Sequence, residues 1–239
     1  VMLRLTSSVN NSCRFLRRTV LGPLALAFGL SALVLAPALA AALSPTTATT
    51  GTYVYQVMRN GDVVGEQRAD FERRGDNLSV VTEVRISVTL LGLSLYDFTQ
   101  RIEEKWVQGQ LMELRSLAND DGNHRDVQLV RKGDRLVGAY DGKKRDLPGD
   151  LIPTTLWNSD AVDDSSVLET VKGRERTTQV TAAGVEQLTL PIGTVQAKHY
   201  VFTGQFSREV WYDDAGVLVA SQMEAKDGSI IRQELLRMP

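Results

Sequence analysis

Cysteine and histidine are nearly absent from this chain of 239 residues. It has one cysteine, Cys13, and two histidines, His124 and His199. Cys13 lies in a segment that we expect to be removed, so the remaining chain would have no disulfide and no thiol nucleophile. The two histidines are far apart in sequence and follow neither a His-x-His nor a Glu-x-x-His spacing. The sequence therefore predicts no metal site and no cofactor.

Motifs of common enzyme classes are missing as well. The chain has no Gly-x-Ser-x-Gly nucleophile elbow and no glycine-rich phosphate loop. Two acidic clusters, one at Asp120 and Asp121 and one at Asp160, Asp163 and Asp164, contain carboxylates of the kind that calcium prefers. Neither cluster has the spacing of an EF-hand loop, so solvated loops are the simpler interpretation. We assign no catalytic residue, and enzymatic activity is not the favoured hypothesis.

Long hydrophobic runs are absent except at the N terminus, where residues 19–44 carry no charge. Four arginines and no acidic residue precede this run, and Ala38-Leu39-Ala40 has the small-x-small pattern of a signal peptidase site. We therefore expect residues 1–40 to be a secretory signal peptide. The alternative is a permanent membrane anchor, because the run is long enough to span a bilayer. Pro23 and the cleavage pattern favour the signal peptide.

The route of export stays open. Arg17-Arg18-Thr19-Val20-Leu21 resembles a twin-arginine signal, but Leu16 replaces the usual Ser or Thr, so the general secretory route fits equally well. Cys13 precedes the apolar run and so does not have the position of a lipoprotein cysteine. After cleavage the chain would keep 23 basic and 29 acidic residues, a net charge of about −6, which disfavours nucleic acid as a partner. We expect a periplasmic or secreted protein with no permanent membrane span.

The rest of the chain has the sequence pattern of strands. After a polar linker at residues 41–51, the side chains of Tyr53–Val57 alternate in polarity, and Asn60-Gly61 then provides the strongest short hairpin signal. About a dozen short strands follow, separated by turns such as Asp227-Gly228. This spacing indicates an antiparallel meander. We therefore expect residues 52–239 to form one all-β domain, a single curved antiparallel sheet or open β-barrel.

The third predicted strand ends in an apolar run. Val80, Val84, Ile86, Val88 and Leu90 share one parity, and Glu83, Arg85, Ser87 and Thr89 share the other, which predicts one buried and one wet face. In Leu90–Tyr96 both faces become apolar, and Gly92 indicates a bulge or bend. This run is either a fully buried core strand or the apolar lining of a cavity. The sequence leaves both interpretations open.

Leu147–Trp157 is the one stretch after the leader that has the pattern of neither a strand nor a tight turn. Its two prolines are incompatible with a central strand, and Pro153 could begin a short helix that continues to Trp157. Strand-like segments lie on both sides. We expect this stretch to be a loop or short-helix plug, or a crossover, between two halves of the sheet.

Two stretches resemble a known type of protein. They are Tyr53-Val54-Tyr55-Gln56-Val57 with Asn60-Gly61, and Phe206-Ser207-Arg208-Glu209-Val210-Trp211-Tyr212-Asp213-Asp214-Ala215-Gly216-Val217-Leu218-Val219 followed by Asp227-Gly228-Ser229. Both resemble secreted bacterial β-proteins classed as domains of unknown function, which are similar in architecture to the LolA/LolB-type lipoprotein carriers. The resemblance implies a curved sheet around an apolar cavity that a helical or loop plug closes. It carries over no catalytic residue.

These observations favour a soluble periplasmic protein that binds an apolar, lipid-like molecule on the concave face of its sheet. One alternative is a structural module that joins an envelope protein partner through a sheet edge, and another is a hydrolase of an envelope polymer. The residues expected to line the ligand site are Leu90, Leu93, Leu95, Tyr96, Phe98, Trp106, Trp157, Tyr200, Phe202 and Trp211. Arg85, Arg101 or Lys105 could meet a ligand headgroup.

Overall fold

A computed structural model describes residues 43–90 and 93–239, with the backbone alone for residues 90, 93 and 94. The predicted signal peptide lies outside the described residues. Within them, fifteen strands form one sheet, and no helix is long and apolar enough to cross a membrane.

The strands follow the order of the chain in two runs. The first run is β1 (Gly51–Arg59), β2 (Asp62–Arg74), β3 (Asn77–Leu90), β4 (Leu93–Val107), β5 (Gln110–Asp120), β6 (Asn123–Lys132), β7 (Arg135–Tyr140) and β8 (Lys143–Pro148). The second run is β9 (Ile152–Pro153), then a 3-10 helix (Ser159–Asp163), β10 (Ser166–Glu169), β11 (Arg174–Leu190), β12 (Gly193–Gly204), β13 (Arg208–Tyr212), β14 (Leu218–Glu224) and β15 (Ile230–Arg237).

The first and last strands join the two runs into one sheet. β1 pairs antiparallel with β15, so that β8 and β9 are left as the two edges. All pairs are antiparallel except β9 with β10. The edges do not pair with each other, although the Arg145 guanidinium on β8 donates to the Gly173 carbonyl beyond β10 at 2.8 Å. The predicted single curved antiparallel sheet, open rather than closed into a barrel, is confirmed.

The predicted local patterns account for the hairpins and the faces. Asn60 and Gly61 turn the chain between β1 and β2 with φ angles of 51° and 93°, the left-handed conformation that these residue types tolerate best. On β3, Val80 and Thr82 are 0% and 2% exposed, whereas Arg85 on the other parity is exposed. The prediction of one buried and one wet face is confirmed.

Residues 149–158 run from one edge of the sheet to the other and fill part of its concave face. Leu151, Leu156 and Trp157 are 4%, 1% and 3% exposed, and the Tyr212 hydroxyl donates to the Leu156 carbonyl at 2.8 Å. We call residues 149–158 the plug loop. The prediction that Leu147–Trp157 forms a plug is confirmed for residues 149–157. Its interpretation as a stretch without strands is wrong, because Leu147 and Pro148 end β8 and Ile152 and Pro153 form β9.

The predicted helix from Pro153 to Trp157 is wrong. Pro153 lies in the edge strand β9, where its missing N–H interrupts no ladder, and Thr154 N donates to the Leu168 carbonyl at 2.9 Å. The single helical turn begins after the plug loop, where the Asn158 side chain accepts a hydrogen bond from Asp160 N at 3.1 Å.

Residues 43–50, which belong to the predicted polar linker, pack against the sheet. Ala48 is fully buried, and the Arg73 guanidinium donates to the carbonyls of Ala48 and Pro45 at 2.5 and 2.6 Å. Ser159 donates from its N and Oγ to the Leu43 carbonyl at 3.1 Å. The sequence of this segment resembles a linker because the residues that hydrogen-bond to it lie far away along the chain. No local sequence pattern therefore indicates that the segment is packed.

Candidate functional site

Side chains on the concave face become more exposed along β4. Starting from the plug loop, the inward residues Trp106, Glu104 and Gln100 are 4%, 1% and 8% exposed. Further along, Phe98 is half-buried and Tyr96 is 36% exposed. We call the level of Glu104 and Trp106 the base of the concave face and the level of Phe98 and Tyr96 its rim. The plug loop fills the base and leaves the rim open at β3 and β4.

A buried carboxylate holds the plug loop at the base. Glu104 accepts hydrogen bonds from Thr155 Oγ1 at 2.7 Å, from Trp106 Nε1 at 2.9 Å and from Trp157 Nε1 at 3.1 Å. Burial raises the pKa of this carboxyl, and the three hydrogen bonds oppose the rise. Sequence reasoning missed Glu104 because charged neighbours surround it. Its parity with Ile102 and Trp106 was the signal that could have found it.

Aromatic rings fill the base around Glu104. The rings of Trp106 and Trp157 meet edge-to-face at 5.6 Å, and Phe71 meets Trp157 in the same way at 5.1 Å. The structure therefore brings together the two tryptophans that we expected to share a ligand site. Both are almost fully buried against the plug loop, so at this level they form packed core and not an open wall.

A polar layer separates the base from the rim. Gln100 Nε2 donates to Ser116 Oγ at 2.9 Å and to Thr170 Oγ1 at 3.2 Å. The hydroxyls of Thr154 and Thr170 lie 3.4 Å apart. These contacts tie β4 and β5 to the plug loop and to the segment after β10. The polar layer marks the upper limit of the filled part of the concave face.

Above this layer, one row of cross-strand pairs connects the two runs of strands. The row consists of Phe98, Ile86, Gly65, Val57, Gln233, Ser221, Val210 and Tyr200. Phe98 and Tyr200, both among the expected ligand residues, are the half-buried ends of this row. The next row toward the rim contains Tyr96 on β4 and, on β12 and β13, the pair Phe202 and Arg208. Phe202 is 1% exposed and packs edge-to-face on Phe206 at 5.6 Å.

The rim continues into a two-stranded ribbon. β3 last pairs with β2 at Ile86, and β4 first pairs with β5 at Phe98, so residues 87–90 and 93–96 pair only with each other among the described strands. Leu95 is 56% exposed, and the Tyr96 hydroxyl donates to Asp120 Oδ1 at 2.9 Å. The interpretation of this run as a fully buried core strand is therefore wrong at Leu95 and Tyr96.

Two expected lining residues of this ribbon, Leu90 and Leu93, pair with each other across the hairpin. Their side chains lie outside what the structure describes. The backbone pairing places both residues at the end of the ribbon, beyond the rim.

Trp211 is on the wrong face to line the concave site. Along β13, Val210 and Tyr212 point inward and Trp211 points outward, because side chains alternate. Its ring stacks on His199 at 4.3 Å, and its Nε1 donates to Glu186 at 3.1 Å. His199 Nδ1 and Nε2 lie 2.7 and 3.0 Å from the carboxylates of Glu186 and Glu209. Both ring nitrogens are thus engaged by glutamates, an arrangement that leaves neither to activate a serine.

The basic residues proposed for a headgroup also lie on the outer face. Arg85 and Arg101 pair with Glu83 at 3.0 and 2.5 Å, and Lys105 pairs with Glu113 at 2.6 Å. These side chains have the opposite parity to Gln100 and Glu104. The expectation that they meet a ligand on the concave face is wrong.

A cavity of about 450 Å³ lies over β3–β6. Its lining consists mostly of outward-facing polar and charged side chains, including Glu83, Arg85, Arg101, His124 and Asp126. None of the ten expected ligand residues lines it. A cavity with this lining does not suit an apolar molecule, since such sites are mostly apolar with few polar anchors.

The chain belongs to the family DUF6134, a domain of unknown function, which matches residues 55–236. None of the curated proteins matches the sequence. The fold is similar to that of a β-barrel-like protein of domain of unknown function DUF1849 from Brucella abortus, with a TM-score of 0.56, 11% identity, and coverage of 80% of this chain and 97% of that chain.

A second solved structure, a putative lipoprotein from Parabacteroides distasonis ATCC 8503, covers 81% of this chain and 97% of its own, with 10% identity and a TM-score of 0.34. This second likeness is too distant to carry an argument. The first supports the fold alone. The expected membership of an unknown-function β-protein family is confirmed, and the likeness to lipoprotein carriers stays a prediction.

Proposed function

We propose that this chain is an exported protein of the cell envelope that binds an apolar, lipid-like molecule at the rim of its concave face. The observation that carries the proposal is the contrast in exposure along β4. Trp106 at the base is 4% exposed, whereas Tyr96 at the rim is 36% exposed. An apolar surface left uncovered beside a concave face is typical of a binding site.

The sequence features of residues 1–40 support export. An exported protein works in water, where an apolar molecule gains about 25 cal/mol for each Å² that it buries. The rim offers Phe98 and Tyr200 on one face and the ribbon of residues 87–90 and 93–96 beside them. Glu104 fixes the plug loop below, so a ligand would enter at the rim and leave the base intact.

The test is binding of the fluorescent apolar probe 1-N-phenylnaphthylamine to protein purified from the periplasm without detergent. We expect saturable binding that Phe98→Ala weakens by about ten- to a hundredfold, because burying such a side chain is worth about 1.5–3 kcal/mol. The control is Leu117→Ser, which changes an apolar residue of 41% exposure on the outer face and should leave binding unchanged.

Absence of saturable probe binding by the unchanged protein would contradict the proposal. Equal weakening by Phe98→Ala and Leu117→Ser would contradict its location at the rim. Native mass spectrometry with organic extraction of the same sample would show whether a lipid-like molecule co-purifies.

A second candidate function is pairing with a strand of an envelope protein. The observation in its favour is that residues 87–90 and 93–96 have neighbours on neither side among the described strands, which leaves backbone groups available for pairing. A protein that cross-links to this ribbon in the periplasm, together with no probe binding, would favour this function over the first.

A further inference from the structure

The concave face contains buried hydrogen-bonding atoms that the protein itself does not pair. Among the described residues, the atoms of this kind are Thr82 Oγ1, Arg125 Nε, Arg208 Nε and Gln233 Nε2. By their cross-strand partners, all four residues have the inward parity. Three of the atoms are N–H donors. Because buried polar groups are nearly always paired, this excess of donors on one face needs an explanation.

Two of the four residues are charged, and because Arg125 also donates from its Nη1 to the His124 carbonyl at 3.3 Å, the stronger case is Arg208. No carboxylate in the described part of the chain pairs with it. Its Nη2 contacts Met223 Sδ, a weak acceptor, at 2.8 Å, and its guanidinium lies 5.8 Å from the centre of the Phe206 ring. Burial lowers the pKa of Arg208 to about 10, so it remains charged at neutral pH. By contrast, Arg232 on the outer face pairs with Glu234 at 2.7 Å.

The neighbours of Arg208 are apolar. It pairs across the strands with Phe202, its Nη2 contacts Met223, and Met223 pairs with Ile231. Gln233 lies one row deeper and uses its Oε1 to accept from Ser221 Oγ at 3.2 Å, which leaves its Nε2 as a donor. A guanidinium and an amide N–H beside these apolar side chains suit a ligand with acceptor oxygens at one end and an apolar chain at the other.

The position of Arg208 also fits the ligand site at the rim. It lies in the cross-strand row next to the one that joins Phe98 to Tyr200, on the same side as Tyr96. Arg208 is partly exposed, so an anion can approach it from solvent. A chain attached to that anion would lie along the apolar side of the rim.

We propose that Arg208, with Gln233, binds the acidic headgroup of the ligand, and that the ligand is therefore an anionic amphiphile with a carboxylate or phosphate at the end of an acyl chain. This inference rests on the proposed function and adds the chemical class of the molecule. A charge-assisted hydrogen bond of this kind is worth more than a neutral one, and a bidentate guanidinium–carboxylate pair also fixes orientation.

The experiment compares tetradecanoate with tetradecanol, which share a chain and differ in the headgroup, as competitors of the same fluorescent probe. We expect the unchanged protein to bind tetradecanoate about ten- to a hundredfold more tightly, as one or two charge-assisted hydrogen bonds predict. Arg208→Met should remove this preference and keep the affinity for tetradecanol. Gln233→Leu should reduce the preference, and Arg208→Lys should retain part of it.

Arg85→Met is the matched control, because Arg85 is an exposed arginine on the outer face. It should keep the full preference. Acetate, which has the headgroup without the chain, should not displace the probe. Displacement by acetate alone would overturn the amphiphile in favour of a simple anion site.

Equal affinities for the acid and the alcohol would overturn the headgroup inference and leave the proposed function standing. This result is expected if water alone satisfies the unpaired donors. Binding of neither compound and no binding of the probe would overturn both. If Arg208→Met fails to fold, an unchanged preference in both Gln233→Leu and Arg208→Lys would still overturn the inference.

Discussion

Glu104 and Arg208 are ionisable side chains on the same concave face, and their surroundings differ completely. Glu104, at the base, accepts three hydrogen bonds, two of them from the plug loop. Arg208, at the rim, has a buried Nε without a partner and a sulfur as its side-chain contact. Removing a charge from water is costly in both places.

The comparison separates a group that completes the fold from one that is available to another molecule. All three donors of Glu104 belong to the chain, and two of them, Thr155 and Trp157, join β4 to residues about fifty positions later. Arg208 receives no comparable compensation from the protein. We infer that the base is built for stability and the rim for binding, and four experiments test this division.

The largest effect should come from Glu104→Leu. This change leaves the indole N–H groups of Trp106 and Trp157 and the hydroxyl of Thr155 buried without an acceptor. Because each unpaired buried donor costs about 1–3 kcal/mol, we expect the free energy of unfolding to fall by about 3–5 kcal/mol. Urea denaturation measures the loss. The control Glu103→Leu, on the outer face, should cost less than about 1 kcal/mol; similar losses in both variants would remove the special role of the base.

The next effect has the opposite sign. Arg208→Met removes an unpaired charge and keeps most of the apolar volume, so we expect the ligand-free protein to become more stable by about 1–2 kcal/mol. Arg208→Lys keeps the charge and should bring no such gain. Thermal and urea unfolding of delipidated protein measure the change. A marked loss of stability in Arg208→Met would show that the rim arginine is structural, like Glu104.

The raised pKa of Glu104 should produce a measurable pH dependence of the free energy of unfolding. Its folded-state pKa is raised above the usual 4.5 by burial, so below that value its protonated form carries the full stabilising contribution. As the pH rises from 4.5 through the raised pKa, this contribution is lost. The unchanged protein should therefore become less stable relative to Glu104→Gln over this window. Carboxylates with lowered pKa values, such as Glu169, contribute equally to both proteins, so their effects cancel when the two pH profiles are subtracted. Parallel pH profiles of the two proteins would contradict the assignment of the raised pKa to Glu104.

The smallest effect on stability should come from the ribbon. Leu95 is 56% exposed, so Leu95→Ser should change the free energy of unfolding by less than about 0.5 kcal/mol. The same variant should weaken binding of the apolar probe. A large loss of stability with unchanged binding would assign the ribbon to the fold and break the comparison between base and rim.

Local pattern accounts for most of the fold. Alternation of apolar and polar residues depends on a two-residue period, and Asn60-Gly61 depends on the φ angles of two adjacent residues, so both are readable without a structure. Pro148 and Pro153 excluded a central strand, and in the structure Pro148 ends the edge strand β8 directly before the plug loop and Pro153 lies in the edge strand β9. The sequence by itself therefore determined an open antiparallel sheet with a plug.

Only the tertiary structure decided how the concave face is divided. Strand parity places Glu104 beside Ile102 and Trp106, but the contact of Glu104 with Thr155 joins residues 51 positions apart. Strand parity likewise does not predict that Trp211 stacks on His199 on the outer surface, or that Arg208 has no carboxylate partner among the described residues. These properties depend on which distant segments meet when the sheet curves and the plug loop enters it. The sequence pattern sets the period of each strand, and the long-range packing decides which inward positions are filled and which stay open.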